Sequence, residues 1–357
     1  MEFLVINGPN LDLLGAREPG VYGKSTLADL EGMINEWAES MAVSVECRQS
    51  ASESEIISWL HRFQGDGVVI NPGAFTHTSR AISDAMAGIT APVMEVHISN
   101  VKQREPWRAN SVVSEAAAGT IYGRGLNGYR DAIRHLVNRS AVPFQTVRYG
   151  PHPDNVADLR RGDGRGLVVL VHGGLWRQEY ERDTTESLAV DLTRRGFDTL
   201  NVEYRRLGDG GGWPGSAHDV LTCMDTLPRL GYETARVVSH SAGSHLAMWA
   251  VSRSRVATEL HVALAPIFDL QSTVVDEDPG AAEAASLLDA GAPREVAPNG
   301  VPTIVSHGDG DQIVPMVRSV RFAATHEIEL HRSDTDHFAL LDPSKPEWEW
   351  VIERLQT

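Results

Sequence analysis

Apolar strand-like runs alternate with amphipathic helical segments twice along this chain, with a break between the two series, and no other feature restricts the fold as much. In the first series Phe3–Ile6 is an apolar strand, and a Gly/Pro-rich loop runs from Gly8 to Gly23. Leu27, Leu30, Met33, Ile34, Trp37 and Met41 then recur at helical spacing. Strands are predicted at Val43–Glu46, Gly67–Ile70, Pro92–Val96 and Gly119–Tyr122. Helices are predicted at Glu53–Phe63, Ser79–Met86 and Gly128–Val137. Strands that alternate with helices imply a doubly wound parallel sheet of the flavodoxin-like kind.

Residues 138–163 interrupt the rhythm with three prolines and several glycines. A linker is expected near 139–146, between domains 1–140 and 141–357, and a chain of 357 residues is long enough for two. A second α/β series starts at Leu167–Val171. No apolar run approaches the roughly 20 residues that span a bilayer. MEFLVINGPN enters a strand with no basic n-region, so no signal peptide is expected. Two distant cysteines, Cys47 and Cys223, fit a reducing compartment, and the cytoplasm is the expected location. Residues 1–142 hold 12 Lys+Arg against 16 Asp+Glu and the remainder 20 against 32, for a net charge of -16. Such a surface argues against nucleic acid and anionic membranes as partners.

The first series carries INGPN at 6–10, LLGAREPGVYG at 13–23, CRQSASESE at 47–55, INPGAFTHTS at 70–79, EVHISN at 95–100 and REPWR at 104–108. Most of these lie where a strand ends, the edge at which open α/β sheets bind ligands. In this order they resemble the type II 3-dehydroquinate dehydratases over about residues 1–140. The resemblance implies dehydration of 3-dehydroquinate to 3-dehydroshikimate through an enolate, with no cofactor and no metal. Tyr22 would be the base, its phenol made more acidic by Arg17 five residues earlier. Asn10 would hold a water against the enolate, and His97 would protonate the departing hydroxyl with Asn71 beside it. The amides of Ile98 and Ser99 would take the substrate carboxylate, and His77 and Arg108 the ring hydroxyls. The 15–23 loop would be a mobile lid. The family's trimer-based dodecamer would bring Asp84 from a neighbouring subunit. Asp12 stands where many members have Asn, and Lys102 and Pro106 depart at looser positions.

The second series carries VVLVHGG at 168–174, ARVVSHSAGS at 235–244, VPTIVSHGDGDQIVP at 301–315 and a strand region ending at His337. The chain order Ser, Asp, His resembles the α/β-hydrolase superfamily over roughly 147–357. Ser239 replaces the first glycine of the G-x-S-x-G turn, and Gly243 is kept. The resemblance implies Ser241 as nucleophile, His337 as base and Asp311 as its partner, with Asp309 the alternative acid. The amides of Ala242 and of Gly174 or Leu175 would form the oxyanion hole. HGG-x-W at 172–176 and NVEYRR at 201–206 are similar to small esterases and kynurenine formamidase-like hydrolases. The expected substrate is a small ester or amide, and the fusion raises the idea of a quinate or shikimate ester. No insertion long enough for a large lid is seen. Gly210–Gly215 and the stretch 269–298 are expected to shape the pocket.

Three patterns are set aside. Gly123, Gly125 and Gly128 spell G-x-G-x-x-G, but the motif closes a domain and opens no βαβ unit. Gly23-Lys24-Ser25 lacks the P-loop glycine, since Glu18 occupies its position. The Asp309/Asp311 pair lacks further calcium ligands at Ile313 and Pro315. Two readings compete with the bifunctional enzyme. In one the first domain is an assembly scaffold, and in the other the second domain only binds.

Overall fold

The first strand, β1 (Glu2–Asn7), is buried on both faces, as an unbroken apolar run requires. The computed structural model describes residues 1–16 and 23–357. It divides into two compact units, Met1–Ser140 and Ala141–Thr357.

In the first unit, β1 is followed by α1 (Leu27–Ser40), β2 (Ser44–Gln49), α2 (Glu53–Arg62), β3 (Gly67–Asn71) and α3 (Arg80–Ala87). Then come β4 (Val93–His97), β5 (Gly119–Tyr122) and α4 (Asn127–Ala141). The strands pair in parallel in the order β2-β1-β3-β4-β5. Successive residues of a strand face opposite sides, and the core divides accordingly. Phe3 and Val5 pack with Leu30 and Ile34 of α1 and Tyr129 and Ile133 of α4. Leu4 and Ile6 pack with Ile56 and Leu60 of α2 and Ile82 and Met86 of α3. Each such side chain contributes about 2 kcal/mol by leaving water. Helix starts are set locally. Thr26 and Asp29 form a reciprocal capping box on α1, and Ser52 and Ser79 cap α2 and α3.

The second unit holds β6 (Gln145–Arg148), β7 (Val156–Arg160), β8 (Leu167–Val171), α5 (Glu186–Arg194), β9 (Asp198–Val202), α6 (Gly215–Thr226), β10 (Thr234–His240) and α7 (Ala242–Val251). It continues with β11 (Ala257–Leu264), α8 (Leu270–Val275), α9 (Ala281–Asp289), β12 (Thr303–Gly308), α10 (Met316–His326), β13 (Glu329–Ser333) and α11 (Pro346–Leu355). The sheet order is β13-β12-β11-β10-β8-β9-β7-β6, antiparallel only at β6–β7 and β7–β9. Helices α6 and α7 cover one face, and α5 and α11 the other.

The segment between the two series differs from the expectation. Helix α4 runs through Ala141 and β6 begins at Gln145, so only 142–144 separate them. Both β6 and β7 went unread, β7 because buried Asp158 and Arg160 break its apolar run, β6 because it is the sheet edge. There β6 shows polar residues outward and presents no apolar run. Among the described residues, no helix is long and apolar enough to cross a membrane.

Candidate active sites

In the first unit a cleft opens at the carboxyl ends of β1, β3 and β4, where the strand order reverses. Its walls come from three loops, and it is lined by Asn10, Asn71, His77, His97, Ile98, Ser99, Arg104, Trp107 and Arg108 among others. The loops after β1 and β3 meet backbone to backbone. Gly73 has φ 58°, and a Cβ there would lie 2.6 Å from Pro9 O. Asn10 is exposed in left-handed backbone (φ 69°), a conformation asparagine tolerates.

His97 ends β4 and is buried. Its Nε2–H donates to Glu95 Oε1 at 2.8 Å, leaving Nδ1 as the other ring nitrogen. Glu95 is fully buried and also accepts from Ser111 Oγ (2.8 Å) and from Thr120 Oγ1 (3.1 Å) on the adjacent strand. A buried carboxylate on Nε2 fixes the tautomer and orientation of the His97 ring. Asn71 lines the cleft, but its amide is engaged below it. Nδ2 donates to Tyr129 Oη (3.0 Å), Oδ1 accepts from the Gly73 amide (3.2 Å), and Tyr129 donates to Asn7 Oδ1 (2.7 Å). Burial raises the Tyr129 phenol above its usual value and keeps it neutral.

On the far wall His77 Nδ1–H donates to Asn110 O (2.8 Å), and its ring meets Trp107 edge-on at 5.0 Å. The Arg108 guanidinium lies 4.1 Å from the Trp107 ring centre and bonds Glu105 (2.8 Å). The set-aside glycine motif has a structural task here. The Gly123 amide donates to His97 O and the Gly125 amide to Ile98 O, which fixes the strand end that carries the site. Asp84 is exposed on α3 and does not line its own chain's cleft. Arg17 and Tyr22 lie outside the described residues.

In the second unit Ser241 stands between β10 and α7 with φ 52° and ψ -125°, a costly backbone for a non-glycine residue. A Cβ on Gly243 would lie 2.1 Å from His172 O, so the turn presses directly on the HGG segment. Ser239, in the place of the missing glycine, shares hydrogen bonds with Ser244 Oγ (2.9 Å) and His261 Nε2 (2.7 Å).

Asp311 Oδ2 accepts from His337 Nδ1 (2.7 Å) and His307 Nε2 (3.0 Å), and Oδ1 from the amides of Ile313 (2.7 Å) and Val314 (2.8 Å). Burial alone would raise this carboxyl, but the His307, His337 and Val314 hydrogen bonds outweigh it and hold it well below the usual range. Asp309, the alternative acid, faces outward on Arg332 (2.8 Å). His240, which precedes Ser241, lies against the His337 ring (4.6 Å between centres). Among the described residues no hydrogen bond joins Ser241 Oγ to His337.

Gly174, Leu175 and Trp176 all have positive φ, and Ala242 opens α7. Beneath them Glu203 accepts from His172 Nε2 (3.0 Å), the Arg182 amide (2.9 Å) and Arg206. The 269–298 stretch folds as α8 and α9. It is fastened to the HGG loop where Leu175 packs at Gly280 and Arg177 bonds Glu283 (2.5 Å). Among the described residues no group of acidic, His and Cys side chains is arranged to hold a metal.

Residues 1–137 match the family model for Dehydroquinase class II. The sequence is 51% identical to the 3-dehydroquinate dehydratase of Anoxybacillus flavithermus over 140 residues, 39% of this chain and 95% of the relative. It is 52% identical to catabolic 3-dehydroquinase 1 of Aspergillus terreus over 146 residues, 40% of this chain and 93% of that one. The chain belongs to the class II dehydroquinase family. The C-terminal region has the fold of esterase B from Lactobacillus rhamnosis, with a TM-score of 0.54 and 18% identity over 64% of this chain and 90% of that one. In this dehydroquinase two cleft side chains, Arg104 and Trp107, and one buried behind His97, Glu95, went unread in the sequence. Glu95 had a signal, since E-x-H on a strand places both side chains on one face. Arg104 and Trp107 lie inside the REPWR segment from which only Arg108 was taken.

Proposed function

We propose that the chain is a bifunctional enzyme, a 3-dehydroquinate dehydratase joined to a serine hydrolase. For the dehydratase the carrying observation is His97 on buried Glu95 at the floor of a cleft whose walls hold Asn10, His77, Arg104 and Arg108. Tyr22, as phenolate beside Arg17, takes a proton from carbon 2. The enolate is held by a water on Asn10. His97, as imidazolium against Glu95, gives a proton to the leaving hydroxyl, and water departs. The Ile98 and Ser99 amides take the substrate carboxylate, with Arg104 as added positive charge. His77 and Arg108 take the ring hydroxyls. Asp84 closes a neighbour's site in a trimer-based dodecamer. Formation of the conjugated product is followed by absorbance, and Tyr22→Phe should lower kcat by at least on the order of 10²-fold. Full activity in that variant returns the first unit to the scaffold reading.

For the hydrolase the carrying observation is the Asp311–His337 bond beside a strained Ser241 turn. Ser241 attacks an ester or amide carbonyl, and His337 takes its proton and passes it to the leaving group. Asp311 stabilises the imidazolium, and the amides of Ala242 and of Gly174 or Leu175 receive the oxyanion. A missing Ser241–His337 bond is ordinary without substrate. A fluorophosphonate should label the wild type and fail on Ser241→Ala, and labelling that persists would reject the serine. Acyl-quinates, N-formylkynurenine and short aryl esters separate the substrate classes. No turnover of any, with no labelling, leaves a binding module.

A further inference from the structure

Asp311 carries two imidazoles, and only one belongs to the proposed triad. The other, His307, is fully buried at the end of β12. Its Nε2 faces Asp311 Oδ2 and Val314 O, each at 3.0 Å, and both can only accept. The Nε2 proton is therefore fixed by its surroundings. Nδ1 lies 2.6 Å from Ser319 Oγ on α10, which holds the ring from its other side. His307 thus aims its Nε2–H at the oxygen that also receives His337 Nδ1–H. All four acceptor positions of Asp311 are filled, two by imidazoles and two by amides.

We propose that His307 is a positioning residue of the hydrolase site, one that fixes the Asp311 carboxylate and draws off part of its negative charge from His337, so that His337 is a weaker base than a two-member Asp–His pair would make it. This rests on the hydrolase reading of Ser241, Asp311 and His337. The physical step is short. A carboxylate oxygen shared between two donors holds each less strongly than if it served one. Removing the His307 donor concentrates the charge on His337 Nδ1–H and stabilises its imidazolium, so His337 gives up its proton at higher pH. The other groups facing His337 do not reverse the sign. His240 touches its ring, but burial, with repulsion from His337, holds His240 well below the usual range, so it stays uncharged. Phe338 meets the ring edge-on and carries no charge. Asp309 is engaged by Arg332 at the surface.

The test is the pH dependence of fluorophosphonate inactivation of the full chain, which reads the nucleophile without knowing its substrate. In His307→Leu the acid limb should move up by on the order of half a unit to one unit, a threefold to tenfold slower reaction below it. His307→Gln, which returns an amide donor near the Nε2 position, should restore the wild-type limb, and loss of packing alone would not. Ser319→Ala removes only the partner of Nδ1, which loosens the ring that aims Nε2–H at Asp311, and it should shift the limb in the same direction by less. If His307→Leu does not fold, Ser319→Ala and His307→Gln carry the comparison. A limb that stays in place or moves down in the folded variants overturns the proposal. A wild type that is never labelled at Ser241 is a different failure, that of the hydrolase reading itself.

Discussion

At the scale of single residues, the dehydratase cleft depends on a group that never reaches substrate. Glu95 is fully buried among three donors, and its ionised form defines which His97 nitrogen bears the proton. Glu95→Gln replaces one acceptor with an NH₂. The NH₂ faces Thr120 Oγ1, which accepts as well as donates, while the amide oxygen stays on His97 and Ser111, so the tautomer is kept and His97 loses its counter-charge. Two costs are expected. Stability of the first unit should fall by about 1–3 kcal/mol, because hydrogen bonds to a carboxylate become weaker neutral ones. Dehydratase kcat should fall by on the order of 10²-fold or more with KM little changed, because Glu95 does not itself line the cleft. Steady-state kinetics with urea unfolding separates the two effects, and an unchanged kcat would remove Glu95 from the proton path. The cleft was legible where a residue acts for itself. Asn10, His77, His97, Ile98, Ser99 and Arg108 all line it. It was illegible where a residue acts through another. Glu95 reads as one polar position in a buried strand. The Asn71 amide, expected beside His97, also bonds Tyr129 from α4, 58 residues later.

At the scale of elements, the central parallel strands β1, β3 and β8 were legible because both faces are covered and their sequences are nearly continuous apolar runs. The hairpin β6–β7 was not, because the edge strand β6 shows one face to water and the buried β7 carries Asp158 and Arg160, paired with Arg182 and Glu186, inside its run. The Ser241 turn was legible through small residues, and the structure gives the reason they are small. Gly243 lies in the first turn of α7, and alanine there would ordinarily gain about 1 kcal/mol of helix propensity. Here the added methyl meets the His172 carbonyl at 2.1 Å, and the two backbones must separate. The sign therefore reverses. Gly243→Ala should destabilise the second unit by about 1–3 kcal/mol and slow fluorophosphonate labelling of Ser241. Dehydratase activity should be unaltered. A variant labelled as fast as wild type, with an unshifted urea midpoint, would show that the two loops do not press on each other.

At the scale of the whole molecule, the two units should respond differently to acid. The second unit buries several histidines in neutral form. Desolvation lowers His245 to about 4 and His261 to about 3, and holds His240 well below its usual value. A histidine whose folded value is depressed binds its proton first in the unfolded chain. Its stabilising share is complete above the unfolded value near 6.5, and it is lost as pH falls from there toward the folded value. Each such histidine removes about 1.4 kcal/mol per pH unit inside that window. Glu181 works in the opposite direction. Burial raises its carboxyl to about 7 against the pull of Arg206, so protonation favours the folded state and offsets about one histidine. Asp154 and Asp278, also raised by burial, offset the histidines nearer the carboxylate range, and lowered His331 adds to them, so the net loss falls between roughly pH 6 and 5. Asp311 and Glu203 add nothing in that window. Both are held below the usual carboxylate range despite their burial, so their shares persist until the pH falls through that range. Among the described residues of the first unit His97 is the one buried histidine, and it faces the Glu95 carboxylate. Urea unfolding of the full chain at pH 7.5 and pH 5 should therefore move the transition that abolishes Ser241 labelling far more than the one that abolishes dehydration. Each activity would be read directly after return to neutral pH. Equal movement of both transitions would mean that the buried histidines are solvated in the folded chain, or that the two units unfold as one.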